Sequence, residues 1–411
     1  MVLAAARGAS PLIGDALTDT APFLAKLDES RLMAGLFGLS LFMQLAFFAL
    51  NRVVFHLGPL SPDSHLYLGV ADAIHRTGWA GLQQAHLAFY YWLYPLVLAG
   101  FMTLFGTHLV PAVLGFQILL VSAVMPCLYR IGARAFGPRV GLGAAILGAL
   151  TWETSRWNGF VLTDSLYLVL LVVATDRLLA LLTETGWRAG IGFGAACALL
   201  TILRPTGGVF VLVGLGFVAR HWLRTGRRRW VFAGGAIALA LALAIAPSAL
   251  GGGSRLGLGF YRDYYAGNLA MGEVIHGMPE YYLPDRGAPG GGLIRHLPHD
   301  AELFARRMAA FWAPVLRRYS PGHKLINGVT LAPLFVLALG GCWRVWRERP
   351  GAGGAFLVVV LGAYTVFHAA TEVDFDHRYR TPLVPLVCLL ASYGSAGLIR
   401  DLRAASRRVP A

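Results

Sequence analysis

The chain has 411 residues, of which 56% are hydrophobic and only 14% charged, against roughly 25% charged in a soluble domain. With a mean hydropathy of +0.60, this composition excludes a water-soluble enzyme, a disordered chain and a nucleic-acid-binding module. The net charge of +14 rests on Arg residues gathered between apolar runs, which is a mark of membrane topology and not of a polyanionic partner.

In chain order, residues 1–31 carry Asp15, Asp19, Lys26 and Asp28 without a long apolar core and read as a cytoplasmic tail, not a cleaved signal peptide. A transmembrane domain follows over 32–400, an all-α bundle of about ten membrane helices, and 401–411 form a basic cytoplasmic tail. A crossing needs roughly 20 apolar residues. Leu32–Leu50, Leu109–Leu128, Val161–Leu182, Trp230–Leu250, Leu325–Val345 and Thr381–Ile399 meet that length. Val140–Trp152, Ala189–Leu203, Thr206–Val218 and Ala355–Ala370 are shorter and need tilt or local thinning to cross. Tyr91–Phe105 is short and holds Pro95 and Gly100. If it crossed, the Arg130/Arg134/Arg139 loop would lie opposite Lys26 and Arg31. If it lies in the interface, every basic loop falls on one side, as the positive-inside rule asks. Outer loops then span 56–108 and 251–322, with shorter ones at Glu153–Phe160, Arg204–Pro205 and Thr371–Arg380. The stretch His299–Tyr319, with Leu303, Met308, Phe311, Trp312 and Val315, reads as an amphipathic interfacial helix. Cys127, Cys197, Cys342 and Cys388 all sit in or at the end of apolar runs, so neither a disulfide framework nor a cysteine metal site is expected.

Acidic and histidine side chains gather in the outer segments. In Ser61-Pro62-Asp63-Ser64-His65-Leu66-Tyr67, Ser61 fits an N-cap and Pro62 the first helical position, with Leu66, Val70 and Ile74 as the apolar face. Asp63 then sits in the first turn, either complementing the helix dipole or serving as a base at the membrane surface. Asp164 stands at the outer mouth of a span, where a carboxylate must cap, pair or work. Asp176 and Arg177 near the inner end of that span read as structural. Arg204 lies at a Pro-broken hairpin and needs a counter-charge. In Asp374-Phe375-Asp376-His377-Arg378-Tyr379-Arg380-Thr381-Pro382, two Arg residues lie outside against the positive-inside trend. An anion partner explains them, and Arg suits phosphate. The plain alternative is mutual neutralisation with Glu372, Asp374 and Asp376. Pro382 disfavours helix at Thr381, so an extended turn is expected, with Arg378 and Arg380 on one side. Glu153 and Arg156 share a short loop and are expected to pair. Phosphate-loop, dinucleotide-glycine, His-Glu-x-x-His and nucleophile-elbow patterns do not occur.

Taken in order, these segments resemble the GT-C-fold glycosyltransferases, in particular the protein O-mannosyltransferase and aminoarabinose-transferase branch that uses polyprenyl-phosphate-linked sugars. The likeness runs from Leu32 to Arg400. It is carried by Ser61-Pro62-Asp63 with Tyr67, the Tyr94-Pro95-Leu96 helix ending in Leu104-Phe105-Gly106, the turn Arg134-Ala135-Phe136-Gly137-Pro138-Arg139, Leu162-Thr163-Asp164-Ser165, Arg204-Pro205-Thr206, and Arg378-Tyr379-Arg380. Two positions depart from the family pattern: Ser64 stands where many relatives have a second acid, and the Lys-Pro pair that opens the interfacial helix of the aminoarabinose enzymes is missing.

The resemblance implies an inverting, lipid-carrier-dependent hexosyl- or pentosyltransferase in the cell (inner) membrane, with its active site facing the periplasm or exterior. The donor would be a polyprenyl-phosphate-linked sugar and the acceptor a glycan, lipid or protein of the cell envelope. Asp63 would be the general base. Arg204, His377, Arg378 and Arg380 would hold the leaving phosphate, and Tyr67 and Tyr379 would line the donor and acceptor pocket. Asp164 would orient the acceptor or Asp63's partner, or hold a divalent cation with Asp63. The rival reading from a different class is a polytopic transporter or lipid-linked-sugar flippase. It would place polar groups along a path, whereas the span centres are nearly charge-free, with Gln44, Gln117 and Asn327 as the exceptions.

Overall fold

The computed structural model describes residues 28–54, 56–85, 89–183, 187–226, 293–316, 319–371 and 377–406. The expected span Trp230–Leu250, most of the 251–322 loop and the acids Glu372, Asp374 and Asp376 lie outside them. The described residues are helical: α1 Glu29–Val53, α2 Pro62–Thr77, α3 Trp79–Gln84, α4 Leu93–Phe105, α5 Leu109–Ser122, α6 Val124–Phe136, α7 Pro138–Leu150, α8 Thr163–Thr183, α9 Trp187–Leu203, α10 Gly207–Arg224, α11 Leu293–Trp312, α12 Pro321–Glu348, α13 Ala352–Thr371 and α14 Val384–Ser406. Six stretches among them are long and apolar enough to cross a membrane, and α7 and α9 are shorter apolar helices. The chain is an all-α, multi-pass membrane protein.

One of those six, Leu93–Phe136, is not a single rod. A short turn at Gly106–His108, with Gly106 at φ +51°, separates α4 from α5, and Ala123 separates α5 from α6. The 13 residues of α4 reach about 20 Å, short of the roughly 30 Å hydrocarbon layer.

Helix faces follow from what lies outside them. On α12, Leu325, Val329, Val336, Leu339, Trp343 and Trp346 are exposed, while Asn327, Leu331, Leu334, Ala338, Gly341 and Val345 are buried. The stripe is apolar on both faces because its outer solvent is lipid. On α1 the buried stripe is Leu36, Ser40, Gln44 and Asn51. Its polar groups point inward, the reverse of a soluble helix, as the cost of polar atoms in hydrocarbon requires.

At the centre, α14 buries every residue from Val384 to Ser392; a helix apolar all round belongs inside a bundle. It packs on α12 and α7, and α6 and α8 complete the middle. Small residues permit the closest approaches. A Cβ on Gly341 would meet the Leu390 carbonyl at 2.0 Å, and one on Gly132 would meet the Gly141 Cα at 2.5 Å.

Helix α2 differs in detail from its expected face. Ser61 caps α2, and Ser64 completes a reciprocal capping box. The buried positions are Ser64, Tyr67, Val70 and Ala71, while Leu66 is exposed. Tyr67, Val70 and Ala71 follow the i, i+3, i+4 spacing, and Leu66, one turn before Val70, lies at the exposed edge of that face. The helix expected over His299–Tyr319 begins earlier and ends at Trp312, so Val315 lies beyond it.

The parity argument has a direct check. Single cysteines at His65 and Arg188, both exposed, are expected to label from opposite sides with an impermeant thiol reagent in a background lacking the four native cysteines. Labelling of both from outside would mean that Leu93–Phe105 crosses.

Candidate active site

Two carboxylates far apart in sequence meet at one guanidinium. The N-cap Ser61 starts α2 and so fixes Asp63 in its first turn. Asp164 lies in the first turn of α8 and is 1% exposed, whereas the Asp63 side chain is 50% exposed. Arg378 Nε donates to Asp164 Oδ2 at 2.8 Å, and Arg378 Nη1 donates to Asp63 Oδ2. The second oxygen of Asp164 accepts from Arg204 Nη1 at 2.9 Å. Two acids and two arginines thus form one chain, Asp63–Arg378–Asp164–Arg204, open to solvent at the Asp63 end and closed at the Arg204 end.

Aromatic rings wall this chain. The Arg204 guanidinium lies over Tyr379 at 5.2 Å and Tyr167 at 5.7 Å. Tyr67 meets Tyr94 edge-on at 5.3 Å. Burial raises the Tyr67 phenol above its ordinary pKa, against the pull of Arg204 and Arg378, so it is a neutral hydrogen-bonding group at neutral pH. Burial works against the charge of Arg378, but Asp164, with Tyr379, Tyr67 and Asp63 behind it, holds that guanidinium well above its ordinary value. It is a permanent cation.

Tyr94 in turn donates to Gln117 Oε1 at 2.8 Å, and Gln117 Nε2 donates to the Phe160 carbonyl at 2.8 Å. Asn158 Nδ2 donates to Gln44 at 2.6 Å and accepts from Ser165 at 2.6 Å. Of the three polar exceptions within spans, Gln117 therefore braces the aromatic wall and Gln44 holds the Asn158 segment behind it.

Arg380 does not join Arg378. Residues 377–380 form a tight turn and not an extended one: His377 takes a left-handed φ of +58°, and Arg380 is helical at φ −75°, ψ −35°. Such a turn sends two side chains at i and i+2 in different directions. Arg380 is fully buried and donates to Glu153 at 2.8 Å, to the Ala313 carbonyl at 2.8 Å and to the Phe311 carbonyl at 3.0 Å. Glu153 thus takes Arg380 and not Arg156, which donates to Tyr319 at 3.2 Å.

His377 is also fully buried, with Nδ1 3.0 Å from the Tyr319 hydroxyl and Nε2 3.2 Å from the Ala310 carbonyl. Since the carbonyl only accepts, Nε2 donates to it. Nδ1 then accepts from Tyr319 in the neutral ring. These contacts hold a residue that is not glycine in a left-handed conformation, which is costly without such support. Of the expected phosphate ligands, Arg204 and Arg378 stand at the carboxylates. His377 and Arg380 lie in a second polar cluster that ties α11 to the last span.

A further residue escaped sequence reasoning. His368 is buried and stacks on Tyr379 at 5.3 Å and on Phe311 at 5.2 Å. Beside it, Trp312 Nε1 donates to Thr365 at 3.0 Å. His368 thus links the end of α11 to the ring covering Arg204. A polar residue near the end of an apolar span was the available signal.

A cation between Asp63 and Asp164 does not fit this arrangement, because the Arg378 guanidinium occupies the position between them. Among the described residues no group of three His, Cys, Asp or Glu side chains converges as metal ligands.

The sequence profile of the dolichyl-phosphate-mannose-protein mannosyltransferase family matches residues 92–247. That segment holds Asp164 and Arg204, with Asp63 and Arg378 on either side of it. A search of curated proteins found no match. Together with the polytopic helical fold, the profile match bears out the resemblance read from the sequence: the chain is similar to the GT-C glycosyltransferases, and the match supports a membrane glycosyltransferase that uses a polyprenyl-phosphate-linked sugar donor.

Proposed function

We propose that this protein is an inverting transferase that moves a sugar from a polyprenyl-phosphate carrier to an acceptor on the extracytoplasmic face of the cell membrane, the acceptor being a glycan, lipid or protein of the envelope. The observation that carries the proposal is the Asp63–Arg378–Asp164–Arg204 chain. It pairs one solvent-facing carboxylate with two guanidiniums at the outer end of α8.

In this reading Asp63 takes the proton of the acceptor nucleophile as that atom bonds to the anomeric carbon. The bond from the anomeric carbon to the phosphate oxygen breaks with inversion, and polyprenyl phosphate leaves. A phosphate needs no strong general acid on departure, but it does need positive charge where the negative charge develops. Arg378 supplies that charge, backed by Arg204. Asp164, buried and bound to both, positions the two guanidiniums. A donor phosphate arriving at Arg378 competes with Asp63 for the same N–H groups and releases that carboxylate toward the acceptor, so donor binding prepares the base.

The test of the base is Asp63→Asn, assayed on purified protein with polyprenyl-phosphate mannose and an envelope extract as acceptor. Loss of a positioned general base is expected to cost about 10²–10⁴-fold in turnover, with the melting temperature nearly unchanged. Near wild-type turnover would remove Asp63 from the mechanism.

The two outer arginines are expected to separate by variant. Arg378→Gln should weaken donor use about ten- to a hundred-fold, as for one charge-assisted contact, and adding Glu153→Gln should restore nothing. Arg380→Gln strands Glu153 in the interior at about 3–5 kcal/mol. Its signature is loss of monodisperse folded protein, recovered in part by Arg380→Gln/Glu153→Gln. Size-exclusion chromatography beside the transfer assay separates the two patterns.

A further inference from the structure

The support of Arg204 leads back to one helix. Arg204 Nη1 donates to Asp164 at 2.9 Å, which fixes one nitrogen of the guanidinium but not the tilt of its plane. Two rings add that restraint. The guanidinium carbon lies 5.2 Å from the centroid of Tyr379 and 5.7 Å from that of Tyr167. Contacts between a cation and a ring face gain strength away from water, and Arg204 is buried.

Both rings are held by α13. Tyr364 and His368 stand one turn apart on that helix and so share a face. The Tyr364 hydroxyl lies 2.5 Å from the Tyr167 hydroxyl. The His368 ring stacks on Tyr379 at 5.3 Å, with 18° between the planes. Phe311 of α11 stacks on the same imidazole at 5.2 Å and 16°. Tyr364, His368, Tyr167 and Phe311 are all buried, and a ring in a close-packed interior has few other places to go. One hydroxyl pair and one ring stack thus run from adjacent turns of α13 to the two rings that Arg204 touches. An aliphatic side chain would fill either position in an apolar span without burying a polar group. A phenol and an imidazole stand there instead, each against a ring that meets the guanidinium.

Resting on the phosphate role of Arg204 given above, we propose that Tyr364 and His368 are positioning residues of the transfer reaction. They orient Tyr167 and Tyr379, and through those rings they set the direction of the Arg204 charge toward the departing phosphate.

The test is the affinity of the full-length protein for polyprenyl phosphate, the leaving group, titrated directly in nanodiscs and measured as product inhibition of transfer. A dissociation constant does not change when some molecules are merely misfolded, so it separates positioning from a loss of active protein. His368→Leu, which fills the site without a flat ring, should weaken binding about ten-fold. His368→Phe keeps the ring and should stay within about two-fold of wild type. In an Arg204→Gln background, His368→Leu should cost less than about two-fold more, because residues that act through one group are not additive. Wild-type affinity in His368→Leu, equal losses in the leucine and phenylalanine variants, or an undiminished loss in the Arg204→Gln background would overturn the proposal. Wild-type protein that binds no polyprenyl phosphate would reject the transferase reading itself, and the proposal with it. If His368→Leu does not purify, Tyr364→Phe removes a single oxygen. A weakening of about three-fold is expected for that lost hydrogen bond, and unchanged affinity would reject the role of α13.

Discussion

A carboxylate in the first turn of a buried membrane helix is the constraint around which one end of this molecule is organised. Asp164 cannot remain charged there without compensation. Arg204 comes from the Pro-broken turn between α9 and α10, and Arg378 from the turn before α14. Each of those turns interrupts helical structure where its guanidinium reaches Asp164. Once Arg378 is fixed by Asp164, its other nitrogen is aimed at Asp63, and the start of α2 is drawn to the same point. Four segments are joined through one buried acid.

The two polar clusters at this end do different work. The chain that includes Asp63 reaches solvent and can exchange partners. The cluster of Glu153, Arg380, His377, Tyr319 and Arg156 is closed and seats the end of α11 against the last span. His368 lies between them, stacked on one ring from each side. A ring stack of this kind lets the position of α11 bear on Arg204 without any charged contact.

Much of this was legible in the sequence, for physical reasons. Span positions follow from hydropathy because lipid leaves little choice of residue. The cap of α2 is local chemistry, so Ser61, Pro62 and the first-turn place of Asp63 could be read directly. Asp164 and Arg204 stood out because isolated charges at span mouths demand partners. The identity of those partners was not legible. Glu153 has an arginine three residues away and yet takes one 227 residues distant, since burial and backbone direction, not proximity in sequence, decide the pairing. The Pro at 382 argued for extended backbone at its neighbour, but the left-handed His377 turns the chain first, and no sequence rule assigns that conformation to a histidine. His368 was hidden for a similar reason: its stacking partners come from two other segments.

The inward polar stripe of α1 has a consequence for how the protein is made. Gln44 shares its hydrogen bond with Asn158, which is synthesised 114 residues later. At about 5–20 residues per second, that interval is roughly 6–23 s. Through that time the Gln44 amide lacks the partner it has in the finished fold. That bond can form only after the segment around Asn158 has been made, while the last span emerges from the ribosome later still.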